Sequence, residues 1–133
     1  STLLKALVMH VVLARDEVVV MDMEAGIEHL GRGTAQSVDK LIVVVEPGRR
    51  SIETAGNIKK LASEIGLKNI AVVGNKIRGD QDEAFLRKHL AAFEILGFLP
   101  YDDALIGADL DGLSSYDVES TAKRNIRTII DNI

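Results

Sequence analysis

Apolar and polar positions alternate along this chain between a helical and a strand period. Residues 2 to 14 put Leu3, Leu4, Leu7, Val8, Val11 and Val12 at a repeat of about 3.6, which predicts an amphipathic helix. Val18-Val19-Val20-Met21 follows, a run rich in β-branched residues that predicts a short strand buried on both faces and ending in Asp22. Residues 27 to 37 are polar, carry Gly31 and Gly33, and read as a loop with a short, weak helix. Leu41 to Val45 is a second buried strand, again ending in an acid, Glu46, before the turn residues Pro47 and Gly48. Ser51 is placed to cap the next helix, whose stripe is Ile52, Ala55, Ile58, Leu61, Ala62 and Ile65, and Gly66 stops it. Residues 70 to 73 form a third strand with Gly74-Asn75-Lys76 at its end, and Asp80 with Glu83 has the capping-box spacing for a helix from about 81 to 91. Residues 95 to 99 form a fourth strand, interrupted by Gly97 and closed by Pro100. A polar loop with a short helical piece leads to Ser114 or Ser115, which opens a last helix with the stripe Val118, Ala122, Ile126, Ile129 and Ile130.

Strands alternating with helices of this length predict right-handed, parallel β-α-β units. The fold class is therefore α/β, a doubly wound, mostly parallel sheet with helices on both faces, in one domain over residues 1–133. No linker, repeat or low-complexity segment breaks the pattern. In such sheets ligands bind beyond the carboxyl ends of the strands. That edge carries Asp22, Glu46, Asn75 with Lys76, and Pro100 with Tyr101 and Asp102.

Composition narrows the chemistry. The 47% hydrophobic content is ample for a core, and a chain of 133 residues can bury roughly two thirds of its unfolded surface. A net charge of -4 with 4% aromatic residues argues against a nucleic-acid surface. No apolar run approaches the roughly 20 residues that span a bilayer, so no membrane role is expected. With no cysteine there is neither a disulfide framework nor a thiolate metal site, which fits a cytoplasmic protein. His10, His29 and His89 fall in three elements without ligand spacing, and Arg49-Arg50 reads as a solvated pair beside a helix start.

The stretches VVVMDMEAGIEHLGRGTA, LIVVVEPGRRSIETAGNIKKLASEIG, VVGNKI and GFLPYD together resemble the later part of a MinD/ParA-type P-loop ATPase. The resemblance is to the subgroup of carbon monoxide dehydrogenase nickel-insertion accessory ATPases, the CooC-like proteins, and its most specific pieces are DMEAGIEHLGRG and VVEPGRRSIETA. One departure stands out. Such an ATPase needs a glycine-rich loop ending in Gly-Lys-Ser/Thr to cradle phosphates and hold Mg²⁺, and no such sequence occurs here. The family's loop and its nickel-linked cysteine pair both lie upstream of the matched region. The chain therefore reads as a C-terminal portion, an incomplete P-loop NTPase (Rossmann-like) fold lacking the P-loop strand, with no nickel site.

The resemblance implies roles for individual residues. Asp22 would be the Walker B carboxylate that holds Mg²⁺ through water, a hard oxygen ligand suited to that cation. Ala25 and Gly26 would belong to the switch segment that senses the γ-phosphate, and Glu24 departs from the small or polar residue usual there. Asn75, followed by Lys76, would present its amide to the donor-acceptor edge of adenine. GTPases place a guanine-reading aspartate two residues after such a lysine, whereas Arg78 stands here, so adenine is favoured. Pro100 and Tyr101 would flank the base.

The implied parent binds ATP and Mg²⁺ and acts as a homodimer on a metalloenzyme. This chain alone is expected to hold neither tightly and to turn nothing over. Loss of the P-loop strand, which in the family lies between the Asp22 and Glu46 strands, would leave two strand edges unpaired. Those edges should pair directly or recruit another chain. Two other readings stand beside this one. A phosphoacceptor receiver domain would use Asp22 and Lys76 but wants an acidic pair after an earlier strand, and a structural or dimerisation fragment would keep no ligand.

Overall fold

In the computed structural model, residues 17–23 and 37–133 are described. The chain divides into two compact units, one of residues 1–41 with 56–69 and one of residues 42–55 with 70–133. The elements in order are β1 (Leu41–Val45), α1 (Arg49–Glu64), β2 (Ile70–Ile77), α2 (Asp80–His89), β3 (Glu94–Pro100), α3 (Asp103–Leu110) and α4 (Thr121–Asn132). The strands form one sheet in the order β1-β2-β3, with β2 and β3 parallel. The α/β architecture with a mostly parallel sheet is thus the expected one. The expected helix over 2–14, and the loop and weak helix over 27–36, lie outside the described residues.

In the second unit the sheet is packed on both faces. Ala71 and Val73 of β2 share a buried cluster with Leu96 of β3 and Ile129 of α4, flanked by Leu99. Successive strand residues point to opposite faces, so Val72 and Gly74 look the other way, and there Leu86 of α2 lies fully buried against the Gly74 backbone. Only a glycine allows that approach. A Cβ at position 74 would stand 2.5 Å from the Phe98 ring and 2.8 Å from Leu86. Helix α4 also covers β3 by hydrogen bonding: the amides of Asn125 and Asn132 donate to the carbonyls of Phe98 and Leu96 at 3.1 and 2.8 Å. These bonds satisfy main-chain acceptors of a terminal strand that would otherwise face solvent.

The helix ends follow local rules with some changes of residue. In the first unit α1 closes in a Schellman turn: Gly66 adopts a positive φ of 88°, its amide donates to Ser63 and the Leu67 amide donates to Ala62 at 2.8 Å. Buried Leu67 completes the motif. Gly112 repeats this geometry after α3, with the Leu113 amide on Ala108.

Ser51 does not cap α1. The helix starts at Arg49, and the Ser51 hydroxyl instead accepts from the Glu46 amide at 2.9 Å, tying the strand end to the first turn. The capping box at Asp80 does not form either. Gly79 precedes α2 without a side-chain cap, Asp82 accepts from the Arg78 amide, and Glu83 pairs with Arg87 one turn on. Arg87 lies where an i,i+4 partner outcompetes the backbone for Glu83. The last helix begins at Thr121 rather than near Ser114, because Ser120 is the residue whose hydroxyl reaches the Lys123 amide. Ser114 makes a local turn with Tyr116. Of the predicted stripe on α4, Ala122 and Ile129 are buried, Ile126 and Ile130 are exposed and Val118 falls outside the helix.

Two strand expectations change. Val18, Val19 and Val20 are not in a strand; they are exposed, Val18 and Val20 by more than four fifths. A β-branched run becomes a strand only when neighbours supply ladder bonds and cover, and this segment has no ladder partner among the described residues. β1 is half-buried rather than buried on both faces, with Val43 and Val45 inside and Ile42 and Val44 outside.

Substitutions at two glycines separate packing from chain entropy. Gly74→Ala forces a methyl into fully buried neighbours and is expected to lower stability by about 1–3 kcal/mol. Gly56→Ala, in the helix with open space around it, should raise stability by about 0.5–1 kcal/mol. Urea denaturation of the two variants checks both signs.

Candidate functional site

The site is built where β2 departs from regular pairing with β3. Partners run Ala71 to Glu94 and Val72 to Ile95, then Gly74 to Phe98 and Ile77 to Pro100, with irregularities at Val72/Val73 and between Gly74 and Ile77. The second irregularity places Asn75 and Lys76 in a bulge. Lys76 sits in the left-handed region at φ 56°, unusual for a side chain with a Cβ. Bulges of this kind re-aim side chains and are frequent beside functional sites. A strand predicted to stop at Val73 therefore continues through Asn75 and Lys76 to Ile77.

The bulge aims Lys76 across the sheet end. Its ammonium lies 2.8 Å from the Glu46 carboxylate just beyond β1, with both side chains about half exposed. A pair this wet is screened and contributes less than about 1 kcal/mol. Its geometric effect is to tie the ends of β1 and β2 together. Beyond the bulge the Tyr101 amide donates to the Ile77 carbonyl at 2.8 Å, tying β2 to the segment after β3. Asn75 is half-buried between these ties, and its side-chain amide bonds to no described residue.

Tyr101 is 39% exposed, and the Arg78 guanidinium lies over its ring, 4.6 Å from the centroid. A cation over an aromatic face is a favourable contact, and Arg makes it more often than Lys. The Arg78 amide is itself held by Asp82 at 2.9 Å. Asp102 then fixes the far side of Pro100-Tyr101. One carboxylate oxygen accepts from Ala104 at 3.0 Å, capping α3, and the other accepts from Ala122 at 3.3 Å in the first turn of α4. An open pocket of about 280 Å³ lies beside this cluster, between Ile77, Arg78 and Gly79 on one side and Phe98 and Pro100 on the other.

The structure thus brings Glu46, Asn75, Lys76, Pro100 and Tyr101 to one end of the sheet in the second unit. Of these, Pro100 lines the pocket, while Tyr101 reaches it through Arg78. Asp22 belongs to the first unit and is exposed; Glu24, Ala25 and Gly26 lie outside the described residues. His89 is exposed and packs against Phe85, and among the described residues no cluster of three or more His, Cys, Asp or Glu could hold a metal ion. The roles of Asp102 and of the Arg78–Tyr101 contact escape sequence reasoning. Asp102 has an Asx-turn position that could have suggested its bond to Ala104, but its second partner is twenty residues away.

No family model matches the chain. An uncharacterised ATP-binding protein of Methanocaldococcus jannaschii is 42% identical over 135 residues, covering 100% of this chain and 52% of that protein. The carbon monoxide dehydrogenase accessory protein CooC of Rhodospirillum rubrum is 43% identical over 121 residues, 91% of this chain and 46% of CooC. Among solved structures, the MinD cell division protein of Aquifex aeolicus superposes with a TM-score of 0.61 at 22% identity, over 80% of this chain and 48% of MinD. The chain is thus similar in sequence to CooC and to these ATP-binding proteins, and it shares the fold of MinD. It spans about half the length of the curated relatives it matches.

The conformation of Lys76 gives a test of the bulge. A left-handed residue with a Cβ costs roughly 1–2 kcal/mol that glycine avoids, and a β-branched side chain fits there worst. Lys76→Val is expected to be less stable than Lys76→Gly by about 1–2 kcal/mol, although both lose the same ion pair. Equal stability by thermal unfolding would show that the bulge is not the preferred backbone.

Proposed function

We propose that this chain is the C-terminal, nucleotide-binding portion of an ATP-binding accessory protein of the CooC kind, one that assists nickel insertion into a metalloenzyme. The observation that carries the reading is the bulge of β2. It leaves the Asn75 amide without a described partner at the sheet end where Pro100 and Tyr101 also sit. An amide offers one acceptor and two donors, which matches the N6 and N7 positions of adenine. Lys76, held by Glu46, ties the ends of β1 and β2 beside Asn75, and Pro100 with Tyr101 would form the wall of the base site. The name of one relative, an ATP-binding protein, supports the same nucleotide.

Asp22 is the Mg²⁺-side residue in this reading. An exposed carboxylate suits a cation that keeps most of its water, and bound Mg²⁺ would neutralise charge on the phosphates of ATP. The remainder of the phosphate cradle is not encoded in this sequence, which has no Gly-Lys-Ser or Gly-Lys-Thr. Exposed Val18, Val20, Ile42 and Val44 support self-association through apolar surface, and the parent acts as a homodimer in the cytoplasm. Among the described residues no helix is long and apolar enough to cross a membrane.

Calorimetric titration with Mg-ATP, paired with a phosphate-release assay, tests the division of labour. The expected outcome is affinity weaker than micromolar and no turnover, because base contacts without a phosphate cradle leave most binding energy unrealised. Micromolar affinity or measurable hydrolysis would contradict it. Sedimentation velocity should show an oligomer; a strictly monomeric chain would remove the edge-pairing part.

A further inference from the structure

Helices α3 and α4 of the second unit each leave an apolar stripe uncovered. On α3 the positions Asp103, Ile106, Gly107 and Leu110 follow the i, i+3, i+4, i+7 spacing and so share one side of the helix. Ile106 and Leu110 are exposed there, Leu110 by 82%. On α4 the same spacing selects Lys123, Ile126, Arg127 and Ile130, with both isoleucines exposed, while Ile129 faces the sheet. One residue brings the two helices together at their starts: Asp102 accepts from the Ala104 amide of α3 and from the Ala122 amide of α4.

The two stripes carry opposite charge. Residues 103–119 hold Asp103, Asp109, Asp111, Asp117 and Glu119 and no Lys or Arg, whereas α4 holds Lys123, Arg124 and Arg127 against a single acid, Asp131. Lys123 already bonds to the Tyr116 carbonyl and to Glu119. The Arg127 guanidinium and the carboxylates of Asp103 and Asp109 bond to no described residue. Gly107 adds a second observation. Glycine is a poor choice inside a helix, and a Cβ there would meet nothing within 4 Å, so the packing of this chain on itself does not call for it. A missing side chain does let another backbone approach closely.

We propose that α3 of one copy of this chain docks on α4 of a second copy, the contact being made twice about a two-fold axis. A surface that carries one acidic and one basic apolar stripe is self-complementary under such an axis, because each copy offers what the other lacks. Burial of Ile106, Leu110, Ile126 and Ile130 drives the association. The exposed charges add little affinity but select the pairing, since α3 against α3 would set acid against acid. No nucleotide is needed for this contact.

Sedimentation velocity of the intact chain over a range of concentrations tests it. The wild type is expected to reach a dimer and go no further. D109K and R127E should each weaken dimerisation by about tenfold or more, and an equimolar mixture of the two should regain the wild-type dimer, because the mixed pair matches charge at both contacts. I130S should weaken it likewise, as should G107L, which fills the gap on α3 with a better helix former. Circular dichroism reports that each variant is folded. A monomeric wild type, growth beyond the dimer, or a mixture no better than its components would each overturn the proposal. A dimer indifferent to all four variants would overturn it as well and leave association to Val18, Val20, Ile42 and Val44.

Discussion

The pairing of β2 with β3, and the point at which it breaks, is the constraint on which the rest of the second unit depends. Up to Gly74 β2 keeps its alternation of faces through the register shift at Val72/Val73, so Ala71 and Val73 share the buried cluster with Ile129 of α4 while Gly74 admits Leu86 of α2. From Asn75 onward the ladder is interrupted and Lys76 turns left-handed, so polar groups leave the core just where the sheet ends. Pairing resumes at Ile77 and Pro100, and the Tyr101 amide closes it. A regular strand would have carried Asn75 and Lys76 in strict alternation between the two faces. The bulge instead gathers them at one rim.

Around that rim the contacts differ in kind and in strength. The Glu46–Lys76 pair is half exposed and gives orientation more than stability. Asp102 contributes through two backbone amides at helix starts, where a carboxylate also meets the favourable end of each helix dipole. The two asparagines of α4 hold β3 from outside. The site is thus positioned mostly by hydrogen bonds to main-chain atoms, which depend little on salt and resist small side-chain changes elsewhere.

Much of this was legible in the sequence because its signals are local. Apolar runs located β1, β2 and β3, a stripe located α1, the Asp80–Glu83 spacing located α2 although the capping box itself does not form, and Gly66 marked the end of α1 through a Schellman turn. Strand-end residues Glu46, Asn75, Lys76, Pro100 and Tyr101 converge as the α/β topology requires. What was not legible depends on partners distant in sequence or on competition between neighbours. Ser51 left its capping role for the Glu46 amide, and Glu83 left its own for Arg87. Val18 to Val20 has the composition of a buried strand, but burial is supplied by other segments and cannot be read from the run itself. Arg78 was noticeable only as the wrong residue for guanine; its position over Tyr101 required the fold.

The central claim is that the end of β2 and the segment after β3 form the base side of an adenine-nucleotide site. Photolabelling of the intact chain with 8-azidoadenosine, followed by mapping of the modified peptides, addresses it most directly. The account predicts label on the segments of residues 75–79 and 98–102, competed away by adenosine and not by guanosine. Label spread over the exposed helices, or insensitive to adenosine, would contradict it.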